Sequence, residues 1–294
     1  MDINFPHYLL SKQSVDDRAL NRHVYDRLAD LLIRPPVRVI EVGAGIGTML
    51  VRLLRWGLLT QVDYIAVDEM PGNIDYALGW LPQWASENGL QASRVRQNQL
   101  QLSDETRTVN VTFERADVFN FMETGPAKAD LLIAHAFLDL LPMPSSLAKL
   151  LSLLKPDALA WLTINFDGLT TLEPPIDPVL DNKIERLYHQ SMDKRPTGGD
   201  SRSGRHLFEH IRQTGARVLA AGPSDWVVHA QDGRYPADEM YFLHFILHFF
   251  EESLSESSEL DTRAFSAWLA ERRAQIEHGE LVYIAHQMDF LVQR

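Results

Sequence analysis

The chain has no cysteine in 294 residues, so disulfides, thiolate-bound zinc, iron–sulfur clusters and a thiolate nucleophile are excluded together. Positive charge is also scarce: 28 Lys and Arg face 40 Asp and Glu, a formal net charge of −12. Binding along a phosphate backbone draws on clustered Lys and Arg that displace counterions, so no nucleic-acid partner is expected. Long apolar runs are missing too. The most apolar segment, Tyr241 to Phe250, is about half of the roughly 20 residues a membrane-spanning helix needs, and it reads as a buried helix. Met1 to Lys12 lacks the basic and then apolar pattern of a secretory signal, which predicts a cytoplasmic chain with no membrane partner. With 45% hydrophobic and 23% charged residues, what remains is ordinary globular composition.

The hydrophobic pattern alternates in period. Leu20, Val24, Leu28, Leu31 and Leu32 recur at helical spacing between Ser14 and Ile33; Ser14 and Asp17 resemble a capping box, and Pro35 and Pro36 end the helix. Val37 to Val42 is a β-branched strand, and Ile46 to Trp56 a helix. Strands are expected at Tyr64–Val67, Val109–Ala116, Asp130–Ala134 and Leu159–Phe166, with helices near Asn73–Glu87 and Ser145–Leu154. The polar stretch Gln91–Thr108 reads as an exposed loop or short hairpin. Beyond Phe166, Asp177 with Pro178 opens a helix to about Met192. A short helix at Arg205–Thr214, a strand near Arg217–Ala221, helices at Ala237–Leu254 and Thr262–His278 and a last strand at Leu281–Leu291 follow. Strands separated by helices indicate a parallel sheet covered on both faces.

The informative string is Glu41-Val-Gly43-Ala-Gly45-Ile-Gly47, directly after the first strand and opening a helix. Glycines are needed there because the backbone turns tightly and approaches a ligand without Cβ atoms between. Asp68 ends the second strand, where a carboxylate can take both hydroxyls of a ribose, and Asp117 follows the third strand at the same carboxyl edge. A dinucleotide fingerprint requires a small residue where Thr48 stands. The acid, one residue, then GxGxG pattern resembles motif I of class I S-adenosylmethionine (SAM) dependent methyltransferases instead. Asp68 and Asp117 match that family's ribose and adenine acids, and Ala134 to Pro142 its fourth motif. Leu154-Lys-Pro156 matches the turn into its fifth strand, with Asp157 where glycine is typical.

The resemblance implies an α/β fold: a three-layer, Rossmann-like, seven-stranded, mostly parallel sheet whose last strand is antiparallel. Helices lie on both faces, and helical insertions cover the ligand edge. It implies a helical cover over residues 1–34 and a methyltransferase-like domain over 35–294, with insertions at about 167–204 and 237–280. The implied SAM-binding set is Glu41, Gly43, Ala44, Gly45, Gly47, Asp68, Glu69, Met70, Asp117, Val118, Ala134 and His135. Met70 would contact the adenine face, and Val118 would act through its backbone. His135 is the candidate base with Asp139 as orienter, or else a hydrogen-bonded histidine shaping the cofactor wall. Asn165, Asp167, Tyr188 and His189 are candidates for binding a small-molecule acceptor.

Two histidine pairs have metal-like spacing, but His206 with His210 has no evident third ligand, and His244 with His248 is embedded in the apolar Tyr241–Phe250, which suits core packing or the lining of an apolar acceptor pocket, so no metal is expected. Residues 182–217 hold eight bases against four acids, which suits either a solvated face or an anion-binding lid. Residues 237–280 hold ten acids against three bases and read as a solvated helical insertion. The function expected is transfer of a methyl group to a small-molecule acceptor by in-line displacement. Its rivals are an NAD(P)-dependent oxidoreductase and a non-catalytic methyltransferase-like binding protein.

Overall fold

The computed structural model describes residues 3–32, 37–196 and 198–294. Three helices open it: α1 (Phe5–Ser11), α2 (Gln13–Ala19) and α3 (Arg22–Leu31). One helix was expected across Ser14–Ile33. The structure interrupts it at Leu20 and restarts it behind Asn21, whose side chain accepts from Val24 N and caps α3. Ser14 caps nothing; its hydroxyl donates to Glu239. The proline stop at Pro35 and Pro36 lies outside the described residues.

The sheet domain then alternates strands and helices as β1 (Arg38–Val42), α4 (Thr48–Arg55), β2 (Gln61–Asp68), α5 (Pro71–Glu87), β3 (Gln91–Arg96), β4 (Gln99–Ser103), β5 (Thr108–Arg115), α6 (Val118–Glu123), β6 (Ala129–His135), α7 (Ser145–Leu151) and β7 (Leu154–Glu173). The remainder is α8 (Pro178–Asp193), α9 (Ser203–Gln213), β8 (Arg217–Pro223), β9 (Trp226–Val228), α10 (Glu239–Leu254), α11 (Thr262–Glu277) and β10 (Val282–Gln293). Strand order is β3-β4-β5-β2-β1-β6-β7-β10-β8, with β9 paired to β10.

Strands β5, β2, β1, β6 and β7 are mutually parallel, and β10 enters antiparallel between β7 and β8. These seven strands are the Rossmann-like sheet expected. The count of seven is corrected to ten by the β3–β4 hairpin on the β5 edge and by β9. The hairpin forms because Leu100 and Leu102 of β4 are buried while Gln99, Gln101 and Ser103 are only half-buried, a period of two inside a stretch that is polar overall.

The central strands are buried on both faces because successive side chains point to opposite sides. Val39 and Ile133 join one core with Met49, Leu50 and Leu53 of α4. Ile40, Val42, Leu132 and Ala134 join the other with Leu147 and Leu150 of α7 and Leu207 and Ile211 of α9. That is three layers. Strand β7 extends well past the expected Leu159–Phe166 and contains Ile164 at φ +56, a left-handed value that a β-branched residue rarely takes. The buried Asp289 holds it by accepting from Ile164 N at 2.7 Å, beside the register shift between β10 and β7. Among the described residues no helix is long and apolar enough to cross a membrane.

Candidate active site

Strand β1 ends in the glycine loop, where Gly43, Gly45 and Gly47 take φ of +66°, +55° and +83°. A Cβ at Gly43 would lie 2.3 Å from the Phe137 ring, so only glycine fits there, whereas one at Gly45 would meet only the methyl tip of Leu9 at 2.9 Å. The loop's amides turn inward. Ala44 N donates to Val67 O, Gly47 N to Ala44 O, and Gly45 N to Asp68 Oδ2 at 2.7 Å.

Over this loop, at the carboxyl edge of the parallel strands, opens a cavity of about 650 Å³. Glu41, Gly43, Ala44, Gly45, Asp68, Glu69, Met70, Asp117, Val118 and His135 all line it, so the structure brings most of the expected cofactor set together. Two members lie elsewhere. Gly47 sits behind the loop as the N-terminal cap of α4, and Ala134 is fully buried in the sheet. Phe5, Leu9 and Lys12 of the N-terminal helices roof the cavity, and Phe119, Phe137, Leu140 and Leu141 add apolar wall.

Each carboxylate has a distinct environment. Asp68 accepts from Gly45 N, from Met70 N at 2.9 Å and from Asn73 Nδ2 at 3.1 Å, which leaves it about one further acceptor site. Asp117 uses Oδ1 to cap α6, accepting from Phe119 N and Asn120 N. Glu41 is fully buried, and its carboxyl is pushed up to about 8 by that burial, against the opposing bond that Tyr64 Oη donates to it at 2.6 Å. Three further carboxyls, Asp68, Glu69 and Asp117, line the cavity together with one lysine, Lys12.

His135 lies in the cavity wall as a hydrogen-bonded histidine. Burial lowers it to about 4, so it is neutral, and both ring nitrogens are engaged: Nδ1 pairs with Thr163 Oγ1 at 2.8 Å and Nε2 with Asp16 Oδ2 at 3.0 Å. The orienting acid is thus Asp16 of α2 rather than Asp139. Asp139 lies on the short turn after β6, where its carbonyl accepts from Asp200 N. Asp16, which has no solvent exposure, also meets Lys12 and Arg52 at 3.3 Å and accepts from Trp226 Nε1 at 2.9 Å. These cations and the His135 bond hold its carboxyl well below the usual range despite burial. Arg52 is buried on α4 and reaches Asp17 as well. The sequence reading missed Lys12 and Asp16. The signal was there: an i, i+4 charge pair on helices whose other buried residues are Tyr8, Ser11, Val15 and Ala19.

The acceptor candidates do not line this cavity. Asn165 donates through Nδ2 to Met288 O. Asp167 accepts from Arg205 N and Nε at 2.8 Å. His189 pairs with Thr170 at 3.0 Å, and Tyr188 stacks on Phe250 with ring centroids 4.0 Å apart. His206 is taken by Asp200 at 2.6 Å, and among the described residues no group of three potential ligands gathers round a metal position. Part of the basic excess is spent internally: Arg205 on Asp167 and Arg212 on Glu209.

No family model matches the chain, and no curated protein matches it in sequence. Several solved structures resemble it along most of its length. A candidate methyltransferase from Bacillus halodurans C-125 is 10% identical over 93% of this chain and 99% of its own, with a TM-score of 0.49. The cyclopropane synthase MmaA2 from Mycobacterium tuberculosis is 11% identical over 91% and 84%, with a TM-score of 0.45. The mycolic acid cyclopropane synthase CmaA1, complexed with SAH and CTAB, is 10% identical over 100% and 86%, with a TM-score of 0.44. Likenesses this distant say nothing about chemistry, and the fold rests on the strand order itself: a Rossmann-like, mostly parallel sheet of the methyltransferase type, with β10 antiparallel beside its last edge.

Proposed function

We propose that the chain is a SAM-dependent methyltransferase acting on a small-molecule acceptor. The observation that carries this reading is the charge and hydrogen bonding of the cavity floor. A dinucleotide needs free amides at the glycine loop to receive its pyrophosphate. Here Ala44, Gly45 and Gly47 spend theirs within the protein, and Gly45 spends its own on a carboxylate. An anion placed there would face Asp68, Glu69 and Asp117, whereas a ligand with a sulfonium and an ammonium group is favoured by the same charges.

The residues fit such a cofactor. The glycine loop leaves little space for side chains beneath it, Asp68 and Glu69 would take ribose hydroxyls, and Met70, Val118 and Phe119 would offer apolar surface to a purine. Among the described residues Asp117 accepts its cap bonds through Oδ1 alone, and Lys12, already paired with Asp16, is the lysine that a carboxylate in the cavity would meet. When bound, the cofactor supplies an activated methyl group and its leaving group in one molecule. The protein's part is to desolvate and align the acceptor for in-line attack, and the roof of Phe5, Leu9 and Lys12 excludes water while limiting the acceptor to a small molecule. Isothermal titration with SAM, SAH and NADH tests this. SAM and SAH should bind and NADH should not; heat with NADH alone, or with none of the three, rejects the assignment.

A further inference from the structure

The lining of the cavity is divided along the sheet. Apart from Glu41, its carboxyls all come from the ends of β2 and β5: Asp68, Glu69 and Asp117. In the strand order β5-β2-β1-β6 the glycine loop of β1 lies next, and β6 beyond it. The lining contributed after β6 is Ala136, Phe137, Leu140 and Leu141, none of them charged, with Phe5 and Leu9 of α1 in the roof. Asp139, the acid of this turn, does not line the cavity.

The two polar side chains next to this apolar part are already engaged. His135 pairs through Nδ1 with Thr163 Oγ1 and through Nε2 with Asp16 Oδ2. Lys12 is 5% exposed, and its ammonium lies 3.3 Å from Asp16 Oδ2 and 5.4 Å from the centre of the Trp226 ring. Backbone bonds fix the turn that carries the wall. Ala136 takes a φ of +50° and donates to Thr163 O at 2.9 Å, while Leu140 N and Leu141 N donate to Phe137 O and Leu138 O at 3.1 Å. A wall held in this way offers an incoming charge no partner, and a charge buried without a partner is costly.

We infer that the acceptor is an uncharged, largely apolar molecule, bound beyond the end of β6 among Phe5, Leu9, Phe137, Leu140 and Leu141. The inference deepens the methyltransferase reading and rests on it: the cofactor takes the part of the cavity with the carboxyls, and the acceptor takes the part without them. A cationic acceptor would be drawn to Asp68, Glu69 and Asp117, where the cofactor lies, and the same groups would repel an anionic one. An uncharged body instead gains by burying its surface against apolar side chains. The opening has the same character, since Phe5 and Leu140 remain 38% and 40% exposed there.

Titration of the SAH-loaded chain at neutral pH with 1-naphthol, 1-naphthylmethylamine and 1-naphthoate tests the charge directly. 1-Naphthol should bind, and the amine and the acid should be about tenfold weaker or worse, because each must leave water without a partner. Leu140→Asp, at a position exposed enough to leave the urea midpoint unmoved, should weaken 1-naphthol about tenfold and narrow its lead over the amine. The amine or the acid binding as tightly as 1-naphthol overturns the assignment. So does the absence of 1-naphthol binding, or a 1-naphthol affinity that Leu140→Asp leaves as it was. Failure of SAH itself to bind falls instead on the cofactor reading.

Discussion

Glu41→Gln should stabilise the ligand-free protein, by an amount set by pH. Glu41 is buried and titrates near 8 in the folded chain against an ordinary 4.5. Its carboxyl is thus raised by folding, so its contribution to stability is fully present below 4.5 and is lost as pH rises through 8. At pH 7 the folded state must keep a proton that the unfolded chain has released, a cost of about 3 kcal/mol at roughly 1.4 kcal/mol for each pH unit above the ordinary value. Glutamine keeps an oxygen for the Tyr64 hydroxyl and carries no proton to hold. The variant should therefore gain up to about 3 kcal/mol at pH 7. His135 works in the opposite direction: lowered to about 4 by burial, it costs stability as pH falls from its ordinary 6.5. Glu185 and Asp289, raised by burial to about 7 and about 6, titrate nearby as well, so the effect is read as a difference between the two proteins: from pH 6.5 to 8 wild type should lose about 1.5 kcal/mol relative to the variant. Urea unfolding of both proteins at half-unit steps, with the wild-type curve subtracted, isolates the effect. Equal stability at pH 7, or a difference that does not grow from pH 6.5 to 8, refutes a buried protonated Glu41.

Asp16→Ala leaves Arg52, Lys12 and Trp226 Nε1 without their buried partner and should cost about 3–5 kcal/mol in urea unfolding; a loss under about 1 kcal/mol would show that the network carries no stability. Gly43→Ala places a Cβ 2.3 Å from the Phe137 ring at φ +66° and should abolish measurable SAH binding by calorimetry. Adding Phe137→Ala relieves the clash and should restore part of that affinity; no recovery would move the obstruction from the ring to the backbone strain. Asp68→Ala removes the acceptor of Gly45, Met70 and Asn73 and should weaken SAM at least tenfold, an expectation that unchanged affinity would end.

What the sequence made legible was whatever depends on local backbone geometry. The glycine loop, Asp68 and Asp117 each follow a strand directly, and a strand's end fixes where the next few residues point. Helix α8 was legible for the same reason: Asp177 accepts from Val179 N and Leu180 N just as an N-cap before proline should. Spacing shows only the pairing of Asp16 with Lys12; its other partners Arg52, His135 and Trp226 are 36, 119 and 210 residues away, and no period encodes them. Helix α6 escaped because six residues are too few to show a period. His135 divides in the same way: a histidine after β6 faces the cavity as expected, while its bond to a carboxylate from α2 is long-range.

That network also decides how a ligand enters. The roof is joined to the sheet domain through Asp16, which meets α4 at Arg52, β6 at His135 and β9 at Trp226, and on the outer side through Arg18 and Ser14, which bond to the buried Glu239. Lifting α2 would strand Asp16, Arg52 and Glu239 without partners, and breaking even one buried ion pair costs about 3–5 kcal/mol. The cavity's exposed rim is apolar instead: Phe5, Met70 and Leu140 line it and are 38%, 49% and 40% exposed. Parting these side chains breaks no hydrogen bond, so entry by way of this rim costs far less than raising the helix. A Phe5→Ala change should then speed SAH association in stopped-flow mixing with little change in stability. Slower association, or a stability loss as large as that of Asp16→Ala, would mean that Phe5 belongs to the clamp and not to the door.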